Sequence, residues 1–156
     1  MRTLIVGFSK PKSKFAIFGR LIMLYSRTPY SHCYISFPDV ELISQASKGM
    51  VNFMNKDVFL EHNVIVKEFD IPVSDVQFQQ VKRYAMKTAG KKYSFLQILG
   101  ILIADLLRLD RNPLDMNKQT FVCSEYLGQI FKMLSIKINK HISLVTPKDI
   151  YEKVNK

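Results

Sequence analysis

Residues 31–46 read SHCYISFPDVELISQA, and this stretch determines how the rest of the chain can be arranged. Two runs rich in β-branched and aromatic residues flank Pro38-Asp39, a pair that is typical of a tight turn. The runs at 31–37 and 40–46 are therefore predicted to pair as an antiparallel hairpin.

Outward from the hairpin, strand patterns dominate the first half of the chain and helical patterns the second. Runs of β-forming residues predict strands at 3–8, 50–53 and 63–71, and periodic apolar residues predict helices at 15–25, 75–88, 95–109, 123–134 and from Pro147 onward. Ser74 and Thr146 each precede a predicted helix, where a hydroxyl can cap the first turn. Segregated strands and helices are typical of an α+β fold, with an antiparallel sheet packed against helices.

Length and composition suit a single domain that covers residues 1–156. The chain is 47% apolar, and a chain of this size buries roughly 70% of its unfolded surface. It contains no low-complexity linker and no internal repeat. These properties exclude a disordered chain, a collagen-like repeat and a disulfide-rich miniprotein. We expect a monomer whose two cysteines are reduced.

Lysine and arginine outnumber the acidic residues by 23 to 13, and the excess lies at the two ends of the chain. Residues 1–27 hold six bases and no acid, whereas residues 118–156 hold seven bases and three acids. A solvated basic surface is the simplest interpretation. The functional alternative is attraction to an anionic surface, such as a membrane, a cell-wall polymer or a nucleic acid.

No segment is typical of a secretory leader or of a membrane span. The first apolar run, residues 4–6, is too short for a leader, and the longest, 95–109, is interrupted by Gln97, Asp105 and Arg108. A span needs about 20 mostly apolar residues, so we expect the longer run to form a buried or interfacial helix. These patterns predict a cytoplasmic protein, or a phage-encoded one that acts in its host.

Cys123 is the strongest candidate for a catalytic residue because it begins an amphipathic helix. Unpaired backbone N–H groups and the positive end of the helix dipole lower the pKa of a thiol at that position. The same N–H groups are suited to stabilising an oxyanion. The alternative is that Cys123 is a small core residue, since free cysteines are often buried.

Three histidines are available as the base that a cysteine nucleophile needs. His62 falls in a predicted charged loop and His141 in a basic segment, so both are predicted to be surface residues. His32 stands at the head of a predicted strand, which holds an imidazole more rigidly than a loop does. Alternation places Cys33 on the opposite face, so Cys33 is predicted to be a core thiol and not a partner of Cys123.

A side chain on the neighbouring strand is needed to orient the imidazole of His32. Gln45 can accept a hydrogen bond from a ring N–H through its side-chain carbonyl, which fixes the tautomer without adding charge. Glu41 shares the predicted face and is the alternative, but it lies close to the turn. An exposed strand amide without a catalytic role is the simpler interpretation of Gln45.

Five short motifs occur in the order that is found in a known family. The chain reads TPYSH at 28–32, ISQA at 43–46, GKKYS at 90–94, FVCSE at 121–125 and TPKD at 146–149. Together they resemble the circularly permuted NlpC-type, papain-like cysteine hydrolases, especially the YiiX-like branch. The resemblance spans nearly the whole chain and implies a papain-like fold.

The resemblance implies a thiolate–imidazolium pair formed by Cys123 and His32, with Gln45 in the third catalytic position. That position is often Glu in the family, so Gln45 departs from the pattern and predicts weaker stabilisation of the imidazolium. Tyr93 and Ser124 are implied as residues that contact the substrate or the oxyanion. Neither a metal ion nor a cofactor is implied.

The function expected from the resemblance is hydrolysis of an amide (peptide or isopeptide) or acyl bond, and cell-wall peptides are one substrate class. The alternatives on the same fold are a catalytically weak or inactive module that binds lipid or cell wall, and an acyltransferase. A nucleic-acid partner is disfavoured, because the eleven Phe and seven Tyr residues fall at core spacing. Two cysteines and three scattered histidines also make no zinc site.

Overall fold

A single sheet extends the predicted hairpin on both sides. The computed structural model describes residues 1–14, 16–47, 49–115 and 120–156. Within those residues the strands are β1 (Arg2–Pro11), β2 (His32–Phe37), β3 (Leu42–Ser47), β4 (Met50–Asn55), β5 (Asn63–Val73), β6 (Lys92–Tyr93) and β7 (Thr120–Phe121). Their order is β5-β1-β2-β3-β4-β6-β7, and the pair formed by β6 and β7 is parallel while the other described pairs are antiparallel.

Helices cover the sheet and connect its strands. The α-helices of the described residues are α1 (Ile17–Ser26), α2 (Lys56–His62), α3 (Asp75–Thr88), α4 (Phe95–Leu107), α5 (Cys123–Met133) and α6 (Pro147–Val154), and 3-10 turns occur at Pro38–Val40 and Ile142–Leu144. None of the helices in the described ranges combines the length and apolar content that crossing a bilayer requires.

The predicted α+β class is confirmed, and the sheet is mixed only through the short β6–β7 pair. Ser74 and Thr146 cap α3 and α6 as predicted, because each hydroxyl accepts a hydrogen bond from the backbone N–H three residues later. Phe15, the first residue of the predicted helix at 15–25, lies outside the described residues.

The prediction of a charged loop around His62 is wrong, since His62 is the last residue of helix α2. Only Phe59 is buried in this helix, so the sequence lacks the repeated apolar spacing by which a helix is recognised. Asp57 in the first turn and His62 in the last turn both have the favourable sign for the helix dipole. His62 is nevertheless exposed, as predicted.

The larger hydrophobic core lies between one face of the sheet and helices α3, α5 and α6. Its buried residues include Leu4, Val6, Phe8, Cys33, Ile35, Phe37, Phe78, Val81, Tyr126, Leu127, Ile130 and Ile150. The other face buries Tyr34 and Ile43 with Phe59 of α2. Alternation along β2 therefore directs Cys33 towards α5, the helix that begins at Cys123.

Gly7 of β1 lies directly opposite Tyr34 of β2. A Cβ atom on Gly7 would lie 2.0 Å from Cζ of Tyr34, and the Tyr34 hydroxyl is held by a hydrogen bond of 2.8 Å that it donates to Glu68. The ring therefore has little freedom to move aside. Glycine is needed here because the tyrosine ring occupies the space of a side chain.

Candidate active site

Cys123 is the first residue of α5 and follows directly on β7 and Val122. It is 5% exposed and belongs to the larger core. The N-cap residue, Val122, makes no side-chain hydrogen bond to the first turn. The thiol therefore lies where a helix dipole and uncapped N–H groups favour its anionic form.

His32 and Gln45 are joined by a short hydrogen bond. Nε2 of His32 lies 2.6 Å from Oε1 of Gln45, while Nε2 of Gln45 donates to Sδ of Met54 at 3.4 Å. The second contact directs the amide nitrogen away from the ring, so the carbonyl oxygen accepts from His32. Nε2 of His32 therefore carries a proton, and Nδ1 is left for another partner.

Cys123 is that other partner of His32. Burial is the largest single influence on the pKa of His32 and lowers it. The charge of Cys123 and the hydrogen bonds to Cys123 and Gln45 act in the opposite direction, and the pKa of His32 is raised overall. The three residues predicted as catalytic, Cys123, His32 and Gln45, thus form one connected chain of polar contacts.

Cys33 is a second neighbour of the Cys123 sulfur. A hydrogen bond from the Cys33 thiol is the largest influence on the pKa of Cys123 and lowers it, whereas burial raises it. The charge of His32, a hydrogen bond to His32 and a hydrogen bond from the Cys33 backbone lower it further, so the pKa of Cys123 lies well below that of an ordinary thiol. Burial and the contact with Cys123 raise the pKa of Cys33, which stays protonated and donates.

The structure both confirms and corrects the interpretation of Cys33. Its complete burial confirms the prediction of a core thiol, but the prediction that it is no partner of Cys123 is wrong. Helix α5 begins over the face of β2 that carries Cys33. His32 is the first residue of β2, so its ring reaches the same sulfur from the end of the strand.

Tyr93 and Cys123 line the same small apolar pocket. The pocket has a volume of about 40 Å³ and is also lined by Ile22, Ile98, Ile101 and Leu102 of α1 and α4. Burial, followed by the charge of Cys123, raises the pKa of Tyr93. Its phenol therefore stays protonated and can donate a hydrogen bond next to the thiol.

Ser124 lines the same pocket, but its hydroxyl already has a partner. Its Oγ donates to the carbonyl oxygen of Val145 at 2.5 Å, which ties the start of α5 to the segment that precedes α6. A contact between Ser124 and an oxyanion, through the backbone N–H of the first turn, stays a prediction.

The alternatives to His32 and Gln45 lie elsewhere on the surface. Glu41 is exposed, with a left-handed φ of 53° after the 3-10 turn, and the side chain that bonds to His32 is that of Gln45. His141 is exposed as predicted, and its Nδ1 accepts from the backbone N–H of Ser143 at 3.3 Å.

Glu125 is a buried acid near the site that the sequence reasoning did not single out. Burial is the main cause that raises its pKa to about 7, with a smaller contribution from the charge of Asp115, and a hydrogen bond from the Val122 backbone opposes the shift. Glu125 is the last residue of the FVCSE motif. An acid in the first turn of a helix, on its apolar face, is the sequence feature that could have identified it. Glu125 lies in the first turn of α5, two residues after Cys123.

No family model matches the chain, and no curated protein matches it. Among solved structures, the chain is similar to the crystal structure of YiiX from Escherichia coli O157:H7, described as a metalloprotein and as DUF1105. The TM-score is 0.59 and the sequence identity 16%, over 99% of this chain and 83% of YiiX. At this identity the similarity establishes a distant relationship of fold.

The description of YiiX as a metalloprotein raises the question of a metal site in this chain. In the described ranges, no three His, Cys, Asp or Glu side chains are gathered in a way that could hold a metal ion. The donors nearest to Cys123 are His32 and Cys33, which are engaged with its sulfur. The donor side chains of the described residues therefore do not fit a metal centre.

Proposed function

We propose that the protein is a cysteine hydrolase of the permuted papain-like class, which cleaves an amide or acyl bond. The observation that carries the proposal is the chain of contacts from Cys123 through His32 to Gln45. A nucleophilic thiol next to an imidazole, which is itself oriented by a third group, is the arrangement that cysteine catalysis requires. The order of the five motifs supports the same class, and the similarity to YiiX supports a distant relationship of fold.

The reaction begins with the ion pair of Cys123 and His32. The Cys123 thiolate attacks the carbonyl carbon, a C–S bond forms, and the electron pair of the carbonyl moves to oxygen. On collapse of this intermediate the C–N or C–O bond breaks, and Nδ1 of His32 gives its proton to the departing amine or alcohol. His32 then takes a proton from water, whose oxygen attacks the carbonyl carbon of the acyl-cysteine. The C–S bond breaks, the carboxylic acid leaves, and the Cys123 thiolate and the His32 imidazolium are restored.

The charge on the tetrahedral oxygen needs donors that are in place before the reaction. The backbone N–H groups of Cys123 and Ser124 lie in the uncapped first turn of α5. The protonated phenol of Tyr93 lines the same pocket as the thiol. We assign these groups to the oxyanion or to the adjoining part of the substrate.

The narrow pocket favours a second candidate, a module of the same fold that binds lipid or cell-wall peptide without turnover. Cys123 is only 5% exposed, and the volume beside it is about 40 Å³. A substrate carbonyl reaches the sulfur only if α1 and α4 separate or a side chain of the pocket moves. An acyltransferase differs from the hydrolase only in the second step, where an amine or alcohol replaces water.

The test is a panel of muropeptides, isopeptides and acyl esters, incubated with the wild-type chain and with Cys123→Ala, His32→Ala and His62→Ala. His62→Ala is the matched control because that histidine is exposed at the end of α2. We expect at least one substrate class to be cleaved by the wild type and the control, with losses of about 10³-fold or more in the two site variants. Cleavage by Cys123→Ala at the wild-type rate contradicts the proposal.

A further inference from the structure

Helix α1 exposes an apolar stripe and buries none of its residues. The exposed side chains are Ile17, Phe18, Leu21, Leu24 and Tyr25. They recur at intervals of three and four residues, so they lie along one side of the helix. Leu24 is 77% exposed, which is unusual for a leucine in an amphipathic helix that covers a core.

Helix α4 continues the same apolar surface. It and the residue two positions beyond it expose Phe95, Leu96, Leu99, Leu106, Leu107 and Leu109. The rings of Phe18 and Phe95 lie 5.1 Å apart at one end of the two helices, and the Tyr25 hydroxyl donates to the Asp105 carboxylate towards the other. Of the eighteen exposed large apolar residues in the described part of the chain, eleven lie on this α1–α4 face.

Exposed basic residues surround the α1–α4 face. Before α1 lie Lys12 and Lys14, within it lies Arg20, and after it lies Arg27. After α4 lie Arg108 and Arg111. The acids of these two segments are Asp105, which accepts from Tyr25, and Asp110. Cations around a contiguous apolar surface are the pattern of a helix that lies in the interface of an anionic bilayer.

We propose that the α1–α4 face docks on a membrane that contains anionic phospholipid. The apolar side chains enter the region between headgroups and acyl chains, and the basic side chains contact the phosphates. Helix α4 has thirteen residues, or about 20 Å of helix, which is too short to span a bilayer and suits a position in its plane. A second copy of the chain is a poorer occupant, because a two-fold interface through this face brings like charges together.

The two helices that carry the docking face also line the pocket that contains Cys123. Ile22 of α1 and Ile98 and Leu102 of α4 belong to that lining. Docking does not require the cysteine chemistry, so the Cys123→Ala variant is expected to dock like the wild type.

The experiment is flotation of the full chain with two kinds of vesicle: phosphatidylcholine alone, and phosphatidylcholine mixed with phosphatidylglycerol. The face variant is Leu24→Glu combined with Leu106→Glu. The matched control is Val76→Glu combined with Met86→Glu, two exposed apolar positions on α3. Both double variants add the same charge, so they differ only in where the apolar surface is removed.

We expect the wild type, Cys123→Ala and the α3 control to float with the mixed vesicles, less so at high salt. We expect the face variant to lose about tenfold or more of its partitioning. A second variant, Lys12→Gln with Lys14→Gln and Arg20→Gln, keeps the apolar surface and is expected to lose the preference for anionic vesicles. Circular dichroism checks that each variant is folded.

Three results would overturn the proposal. One is a wild-type chain that does not float with the mixed vesicles. Another is an equal loss of flotation in the face variant and in the α3 control. The third is a wild-type oligomer in solution that dissociates in the face variant, because it assigns the face to a protein partner.

Discussion

Oε1 of Gln45 accepts a hydrogen bond of 2.6 Å from Nε2 of His32, so an uncharged side chain holds the imidazole. The amide is itself held by its contact with Met54. The imidazole is therefore fixed in one tautomer, with its other nitrogen available to Cys123. An uncharged acceptor and a charged acceptor affect the pKa of the His32 imidazole differently. Two substitutions of Gln45 distinguish the contribution of the hydrogen bond from that of the charge.

Gln45→Ala removes the orienting acceptor. We expect kcat/KM to fall by roughly 10- to 100-fold, the size of effect that follows the loss of a supporting hydrogen bond at an active site. Gln45→Glu restores the acceptor and adds a negative charge next to the ring, which raises the pKa of His32 further. The alkaline limb of the pH–rate profile is then expected to move upward. An unchanged limb in Gln45→Glu contradicts this role of Gln45.

Cys33→Ala removes the strongest influence that lowers the pKa of Cys123. We expect the apparent pKa of Cys123 to rise, so that thiolate is lost at pH values where the wild type still has it. Cys33→Ser keeps a donor at the same position and is expected to restore most of the loss. Titration of thiolate absorbance measures both variants. If the apparent pKa of Cys123 is the same in Cys33→Ala and Cys33→Ser, Cys33 contributes through packing and not through a hydrogen bond.

Glu125→Gln tests the electrostatics of the first turn of α5. Glu125 has a pKa of about 7 in the folded chain against an ordinary value of 4.5, so the folded state binds this proton more tightly than the unfolded state does. Its contribution to the free energy of unfolding is fully present below pH 4.5 and is lost as the pH rises through about 7. The loss amounts to up to about 3 kcal/mol.

The Gln variant has no proton to lose, so its stability should fall less than that of the wild type over this pH range. Denaturant unfolding at pH 5 and pH 8 measures the difference. Glu61→Gln, at an exposed acid, is the control and should keep the wild-type dependence. If the free energy of unfolding falls equally in the wild type and in Glu125→Gln between pH 5 and pH 8, Glu125 is not the source of the pH dependence.

Gly7→Ala tests the close approach of β1 to Tyr34. A Cβ at 2.0 Å from the ring forces a shift of a side chain held on Glu68, and such overpacking costs about 1–3 kcal/mol or more. Combined with Tyr34→Ala, the same substitution should cost almost nothing further. Thermal unfolding of the two single variants and the double variant gives the coupling, and simple additivity would contradict the account.

Much of the fold could be predicted because local rules agree with the final structure. The hairpin around Pro38-Asp39 follows from strand patterns and a turn pair, and the caps at Ser74 and Thr146 follow from hydroxyl chemistry. The short strands β6 and β7 could not be predicted in this way. They have two residues each, and such a strand is defined by its partner and not by its own pattern.

The proximity of Cys123, His32 and Gln45 could be predicted, because each has a chemical role that its residue type suggests, whereas their catalytic role stays a proposal. The role of Cys33 could not be predicted from alternation alone. Alternation correctly assigns it to the core face, but only the packing of α5 on that face brings Cys123 to it. The exposure of α1 was also not predictable, since apolar spacing of three and four residues indicates a helix face and not what covers it.

The most direct test of the central claim is the pH dependence of alkylation of Cys123 by iodoacetamide, followed by peptide mass mapping to separate it from Cys33. The rate should follow a thiolate that forms well below the ordinary thiol pKa of about 8.5. In His32→Ala the inflection should move upward, whereas in the His62→Ala control it should not. An inflection near 8.5 in the wild type, unchanged by His32→Ala, would contradict the assignment of Cys123 and His32 as a catalytic pair.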